Sequence, residues 1–128
     1  MNQLKATIIK IETIESLNLL TLSCGEQTIE ILTLELNPNL RVGSSVKLSV
    51  KSTDIAIAKN YGGMLSYTNQ LKAKIVQLNN GKLLSSIGID IEGFRLESII
   101  MLNSSLKMNL KVGENIVALI RGNDISIL

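Results

Sequence analysis

The sequence Asn2-Gln3-Leu4-Lys5-Ala6, near the start of the chain, recurs without change as Asn69-Gln70-Leu71-Lys72-Ala73. Two further matches follow in the same order: Val42-Gly43 with Val112-Gly113, and Asp54-Ile55-Ala56-Ile57 with Asp124-Ile125-Ser126-Ile127. The offset is 67 residues at the first match and 70 at the other two, so the second copy holds three extra residues before Val112. Three ordered matches at a nearly constant offset indicate a tandem duplication of one module.

Each copy carries the pattern of five short strands. Aliphatic runs and apolar–polar alternation are separated by turn residues such as Gly25-Glu26 and Glu92-Gly93, as is typical of short strands joined by turns. Asn80-Gly81 favours a primed hairpin turn, which needs positive φ. The predicted strands are 7–14, 17–22, 28–32, 46–51 and 54–58 in the first copy, and 71–78, 83–91, 94–100, 116–121 and 124–128 in the second.

Residues 33–39 are predicted to form a short helical turn or loop, and residues 103–109 a helix. Five strands and one short helix per copy predict an all-β fold made of two tandem OB-like five-stranded β-barrel modules. The repeat places the first module at 1–58, a linker at 59–65 around Tyr61-Gly62-Gly63, and the second module at 66–128.

The composition favours a binding protein over an enzyme. Ile and Leu fill 39 of the 128 positions, so the core must be aliphatic. The chain has no His and a single cysteine, Cys24, which leaves little material for a transition-metal site or a nucleophilic centre. No paired-carboxylate motif stands out. No stretch of 18 consecutive apolar residues occurs, and Lys5, Lys10 and Glu12 interrupt the apolar pattern at the N-terminus, so we expect a cytoplasmic protein without a membrane partner.

The segment Ser66-Tyr67-Thr68-Asn69-Gln70-Leu71-Lys72-Ala73 is similar to the usual opening Ser-Ala-Arg-Asn-x-Leu-x-Gly of the Mop, or TOBE, family. The strand end Lys51-Ser52-Thr53-Asp54, and its second copy Arg121-Gly122-Asn123-Asp124, resemble the Lys-Ala-Thr-Asp of that family. Family members are molybdate-binding modules, found singly, in tandem as in the molbindins, and at the end of molybdate-responsive regulators. The chain departs from the family pattern at Thr68, where Arg is usual, and at Arg121, where Lys is usual.

This resemblance implies that the chain binds molybdate or tungstate, for storage, buffering or sensing within molybdenum homeostasis. Such a tetrahedral dianion offers only acceptors, so its site needs hydroxyl, amide and cationic donors. The candidate ligand residues are Ser66, Tyr67, Thr68, Lys51, Ser52, Thr53, Arg121, Gly122, Thr33 and Ser104. No free metal cation is expected. In the family these elements meet between subunits, which implies a homo-oligomer, with a trimer favoured and a dimer or hexamer as alternatives.

The two copies are not equal in this respect, because Ser66-Tyr67-Thr68 precedes the shared motif only in the second copy. The second copy is therefore predicted to carry the tighter oxyanion site. Each candidate also has a purely structural explanation. Lys51 could blunt a strand edge, Ser52 and Thr53 could form a polar turn, and Thr33 and Ser104 could be helix caps. Arg121 could pair with Asp124.

Two other functions stay open at this point. An OB-type barrel can bind single-stranded nucleic acid, but that function uses exposed aromatic residues and a basic groove. The chain offers only Tyr61, Tyr67 and Phe94 and a formal net charge of +2, without a basic cluster. The chain could also be the effector half of a regulator that lacks its DNA-binding half.

Overall fold

The computed structural model describes residues 2–128. Its strands are β1 (Asn2–Ile14), β2 (Leu17–Cys24), β3 (Gln27–Thr33), β4 (Ser45–Val50), β5 (Ala56–Ala58), β6 (Asn69–Asn80), β7 (Leu84–Ile91), β8 (Phe94–Met101), β9 (Asn115–Ile120) and β10 (Ile125–Ile127). One α-helix, α1, covers Leu102–Lys107. Two short 3-10 turns, Ser52–Asp54 and Gly122–Asp124, follow β4 and β9. We refer to them as the first and second 3-10 turns.

The strands form two curled, antiparallel, five-stranded sheets, each a half-barrel. This confirms the predicted all-β fold with two five-stranded units. The strand order is β10-β4-β1-β2-β3 in one sheet and β5-β9-β6-β7-β8 in the other. The outer strands β3 and β10 approach each other across the first sheet, and β5 and β8 do so across the second. Each sheet is therefore curled, and the buried aliphatic residues of both sheets form one continuous core.

The last strand of each sequence copy completes the sheet of the other copy. Ile125 of β10 pairs with Val50 of β4, and Ala56 of β5 pairs with Leu119 of β9. The residues flanking the first 3-10 turn are extended (φ −71° and ψ 143° at Lys51), so the chain runs onward instead of folding back on β4. The boundaries 1–58, 59–65 and 66–128 thus describe the sequence repeat, whereas the hydrogen-bonded sheets exchange their last strands.

Alternation of side chains along the strands builds the core. In β1, Leu4, Ala6 and Ile8 are buried, while Gln3 and Lys5, on either side of Leu4, are exposed. The same alternation in β7 buries three isoleucines, which lie at 87, 89 and 91. The interior is almost wholly aliphatic, as the composition requires, and burial of this apolar surface is the main force that holds the two sheets together.

The structure corrects two local predictions. A helix in each copy was expected, but among residues 2–128 the α-helix occurs only in the second copy. The offset between equivalent strands changes from 67 to 70 across α1, so the three extra residues supply its length, whereas the first copy is shorter here and contains Pro38. The predicted primed turn is also wrong, since neither Asn80 nor Gly81 has positive φ. The connection between β6 and β7 covers residues 81–83, and the amide of Gly81 closes it by donating to the carbonyl of Leu84 (2.8 Å).

No helix in the described part of the chain is long and apolar enough to cross a membrane.

Candidate oxyanion-binding site

Two asparagines, one from each copy of the repeated motif, dock the copies onto each other. The side-chain amide of Asn69 donates to the carbonyl of Glu30 (2.9 Å), and its oxygen accepts the amide of the same residue (2.8 Å). Asn2 makes the equivalent pair of bonds to Glu97, at 2.7 and 2.8 Å. Both asparagines are buried, so the identity of the repeated Asn follows from this main-chain clamp.

The clamp at Asn69 holds the start of β6 against β3, and the β6–β9 ladder sets it beside the end of β9. Asn69 pairs with Ile120, so Thr68 and Arg121 stand next to each other one step beyond the last pair. The second 3-10 turn packs against β3, where a Cβ on Gly122 would lie 3.0 Å from the carbonyl oxygen of Glu30. We call the group Ser66–Thr68 with Arg121 and Gly122 the second opening. Ser66 and Thr68 are exposed there, and Tyr67 is half-buried.

Strand exchange brings the two 3-10 turns side by side. The pairing of Val50 with Ile125 sets Lys51 beside Asp124 one step further, and the β5–β9 register likewise sets Asp54 beside Arg121. The cationic candidates of both copies, Lys51 and Arg121, therefore belong to one region of the surface, although they are 70 positions apart in the sequence.

Arg121 is held by an acidic neighbour. Its Nε–H donates to Oδ2 of Asp124 at 2.8 Å. This hydrogen bond, followed by the charges of Asp124, Tyr67 and Asp54, raises the pKa of the Arg121 guanidinium above its ordinary value. The pairing with Asp124 that the sequence suggested is thus present. A guanidinium carries five N–H donors, so a bond through Nε leaves others that can reach an anion.

The equivalent region of the first copy, made by Asn2 and Lys51–Thr53, is the first opening. It contains a carboxylate of the protein itself. The Ser52 hydroxyl donates to Oε1 of Glu97 (3.0 Å), the Ser86 hydroxyl donates to Oε2 (2.6 Å), and the Asn2 amide donates to the Ser52 oxygen (3.3 Å). Hydrogen bonds from Ser86 and then Ser52 hold the pKa of Glu97 below its ordinary value. Lys51 and Thr53 are exposed beside this group.

Two of the predicted ligands lie outside the groups that define the openings, although Asn123 of the second 3-10 turn lines the same groove as Thr33. The Thr33 hydroxyl donates to the carbonyl of Glu35 (3.0 Å), and Thr33 lines an open, largely apolar groove of about 860 Å³. Ser104 is exposed on α1, where its carbonyl accepts the amide of Met108 (3.0 Å). Within residues 2–128, no hydrogen bond connects either residue to the openings.

Sequence reasoning did not single out Glu30, Ser86 or Glu97. A signal for the glutamates was present, because Ile29-Glu30 aligns with Leu96-Glu97 at the same offset of 67 as the repeated motif. Their meeting with the asparagines could not be read from the sequence, since it depends on how the two sheets dock. Within the described residues, no group of three or more His, Cys, Asp or Glu could hold a metal ion.

Comparison with known proteins gives relatives of the length of one copy. The chain is 35% identical over 65 residues to molybdenum-pterin-binding protein 1 of Clostridium pasteurianum, which covers 50% of this chain and 96% of that protein. It is 34% identical over 64 residues to the probable molybdenum-pterin-binding protein of Haemophilus influenzae, covering 49% of this chain and 93% of the relative. No family model matches the chain.

Solved structures match the fold of the whole chain and also the fold of a single copy. The cytoplasmic molybdate-binding protein ModG, in a form with molybdate bound, aligns with a TM-score of 0.90 over 98% of this chain and 94% of its own, at 18% identity. A molybdate-binding protein from Sporomusa ovata aligns with a TM-score of 0.50 over 52% of this chain and 98% of its own, at 24% identity. The whole two-copy architecture, including both sheets, is therefore that of a known two-domain fold.

Proposed function

Because the chain belongs to the family of the molybdenum-pterin-binding, or Mop-type, proteins and carries their module twice, we propose that it binds molybdate. The observation that carries this proposal is the identity of 35% to a relative that is covered over 96% of its length. Membership in this family confirms the prediction of a binding protein rather than an enzyme. The matched ModG fold supports the same ligand, since that protein was solved with molybdate bound.

The second opening is the proposed main site. It combines the hydroxyls of Ser66 and Thr68, the Arg121 guanidinium and the amides at the start of the second 3-10 turn. Within the second 3-10 turn, the Asp124 amide donates to the Arg121 carbonyl (3.0 Å). The main-chain amides that precede Asp124 in the turn can donate to a ligand. Converging main-chain amides and one cation are a combination suited to a small oxyanion.

A site built from donors distinguishes among tetrahedral anions by their protonation. Phosphate at neutral pH is partly protonated, and its O–H would meet another donor, whereas molybdate is a bare dianion. Tungstate offers the same charge, shape and acceptors. We therefore expect molybdate and tungstate to bind alike and phosphate to bind far more weakly.

We further propose that the chain stores or buffers the oxyanion in the cytoplasm as a homo-oligomer, with a trimer favoured. ModG is described as cytoplasmic. Large apolar side chains are exposed at equivalent places in the two copies: Leu17 (45%) corresponds to Leu84 (56%), and Leu34 (66%) corresponds to Met101 (63%). Exposed apolar side chains of this kind favour contact with another subunit. Light scattering tests this directly, because a mass of 13.9 kDa at micromolar concentration would mean a monomer.

Isothermal titration with molybdate, tungstate, sulfate and phosphate tests the ligand. Ser66→Ala removes one hydroxyl from the proposed site, and Ser16→Ala, in the exposed turn between β1 and β2, is the matched control. A hydrogen bond to a charged group contributes about 1.5–3 kcal/mol, so Ser66→Ala should weaken molybdate binding by roughly tenfold to a hundredfold. Equal affinities for phosphate and molybdate would contradict the proposal, and tight binding of single-stranded DNA would favour the nucleic-acid alternative.

A further inference from the structure

The first opening contains an anion that belongs to the protein. We propose that the carboxylate of Glu97 acts as a built-in competitor that closes the first opening to external oxyanions. This inference rests on the proposed function and extends it, because it names the residue that decides how many oxyanions the chain can take.

The geometry places Glu97 on donors that an oxyanion would need. Its two carboxylate oxygens accept the hydroxyls of Ser52 and Ser86 at 3.0 and 2.6 Å. Ser52 lies on the first 3-10 turn, at the position that Gly122 holds in the second. A dianion entering here would have to displace the carboxylate from its hydrogen bonds and would lie beside a like charge, and both effects disfavour binding.

The second opening keeps the asparagine and the glutamate but lacks both serines. Glu30 corresponds to Glu97, but Gly122 stands in place of Ser52, and Leu19, at the offset of 67, stands in place of Ser86. Neither replacement has a side-chain hydroxyl. The Glu30 carboxylate instead acts on the charge of Lys10, on the outer side of β1. Both serines that hold Glu97 at the first opening are thus missing at the second. The acidic neighbour at the second opening is Asp124, whose carboxylate pairs with the Arg121 guanidinium instead of with serine hydroxyls.

Changes to the Glu97 side chain should leave the fold intact. The clamp from Asn2 uses only the main-chain amide and carbonyl of Glu97, at 2.8 and 2.7 Å. The side chain itself is exposed. Glu97→Gln removes the charge and keeps the size, and Glu97→Ala also frees both serine hydroxyls.

The experiment counts molybdate ions per chain by titration calorimetry for the wild type, Glu97→Gln and Glu97→Ala. Glu12→Gln, an exposed position on β1, controls for the loss of one negative charge. We expect both Glu97 variants to gain about one site per chain over the wild type, and Glu12→Gln to gain none. Adding Ser52→Ala to Glu97→Gln should remove the gained site, which locates it in the first opening.

The inference is overturned if both Glu97 variants are folded by circular dichroism and neither gains a site, or if the wild type already shows two equal sites per chain. A wild type that binds no molybdate would defeat the proposed function instead. The comparison still decides the role of Glu97 in that case, since a gain in the variants supports the competitor and no gain overturns it.

Discussion

Replacing Asn69 by alanine should weaken the docking of the two copies and leave each strand pattern unchanged. Asn69 is 2% exposed, and its side chain satisfies both the amide and the carbonyl of Glu30 at 2.8 and 2.9 Å. Alanine removes both bonds and leaves two main-chain groups without a partner, at a place that excludes most water. The change therefore acts through unsatisfied polar groups, with little loss of apolar contact.

The expected cost follows from those two groups. A buried main-chain donor or acceptor that loses its partner costs about 1–3 kcal/mol. Some relaxation toward water will lower the sum, so we expect Asn69→Ala to reduce the free energy of unfolding by about 2–4 kcal/mol. For a chain of 128 residues, this corresponds to a fall in Tm of about 7–15 °C. Asn2→Ala should behave in the same way, because Asn2 makes the equivalent clamp to Glu97.

Urea denaturation and thermal melts followed by circular dichroism measure this effect. Gln3→Ala is the control, since Gln3 lies next to Asn2 and is exposed, and it should change the stability by less than about 0.5 kcal/mol. Asn69→Asp keeps the acceptor and loses the donor, so it should be at least as destabilising at neutral pH. The loss of unfolding free energy in Asn69→Asp should be smaller in acid, where the protonated carboxyl can donate to the Glu30 carbonyl. If Asn69→Ala were as mild as Gln3→Ala, the clamp would not hold the copies together.

Three further outcomes are expected. The pKa of Glu97 is held below its ordinary value of 4.5, so its contribution to stability is present above that pH and is lost as the pH falls through the lowered value. In thermal melts, acid should therefore lower the Tm of Glu97→Gln by less than it lowers the Tm of the wild type. Equal falls in Tm would contradict this. Chains 1–65 and 66–128 produced separately each lack the strand that covers β4 or β9, so on mixing they should form a one-to-one complex by size-exclusion chromatography, and two independent monomers would argue against the exchange. Gly122→Ala brings a Cβ to 3.0 Å from a main-chain carbonyl of β3 and should cost about 1–3 kcal/mol, whereas Gly62→Ala, with nothing within 4 Å, should be nearly neutral in the same melts.

The residue types of the candidate site could be predicted from the sequence, but their contacts could not. The resemblance to the Mop family suggested Lys51, Ser52 and Arg121 as anion donors. It gave no means to see that Ser52 donates to a glutamate 45 positions away. The turn at Glu92-Gly93 was predicted correctly, since its two positive φ values (52° and 88°) are a local requirement. The primed turn at Asn80-Gly81 was not, since the connection covers residues 81–83 and needs no positive φ at either residue.

The sequence by itself determined the duplication, the number and approximate place of the strands, and the aliphatic character of the core. These are local properties: alternation with period two, turn residues and an internal offset can be read without knowing which strands meet. Only the tertiary structure decided that β5 and β10 change places, that the repeated Asn clamps a glutamate main chain, and that the two openings differ in their internal anion. Each of these depends on contacts between residues that lie from 39 to 95 positions apart. The local sequence pattern does not determine such contacts, because the register of the strands and the docking of the sheets depend on the packing of the whole core.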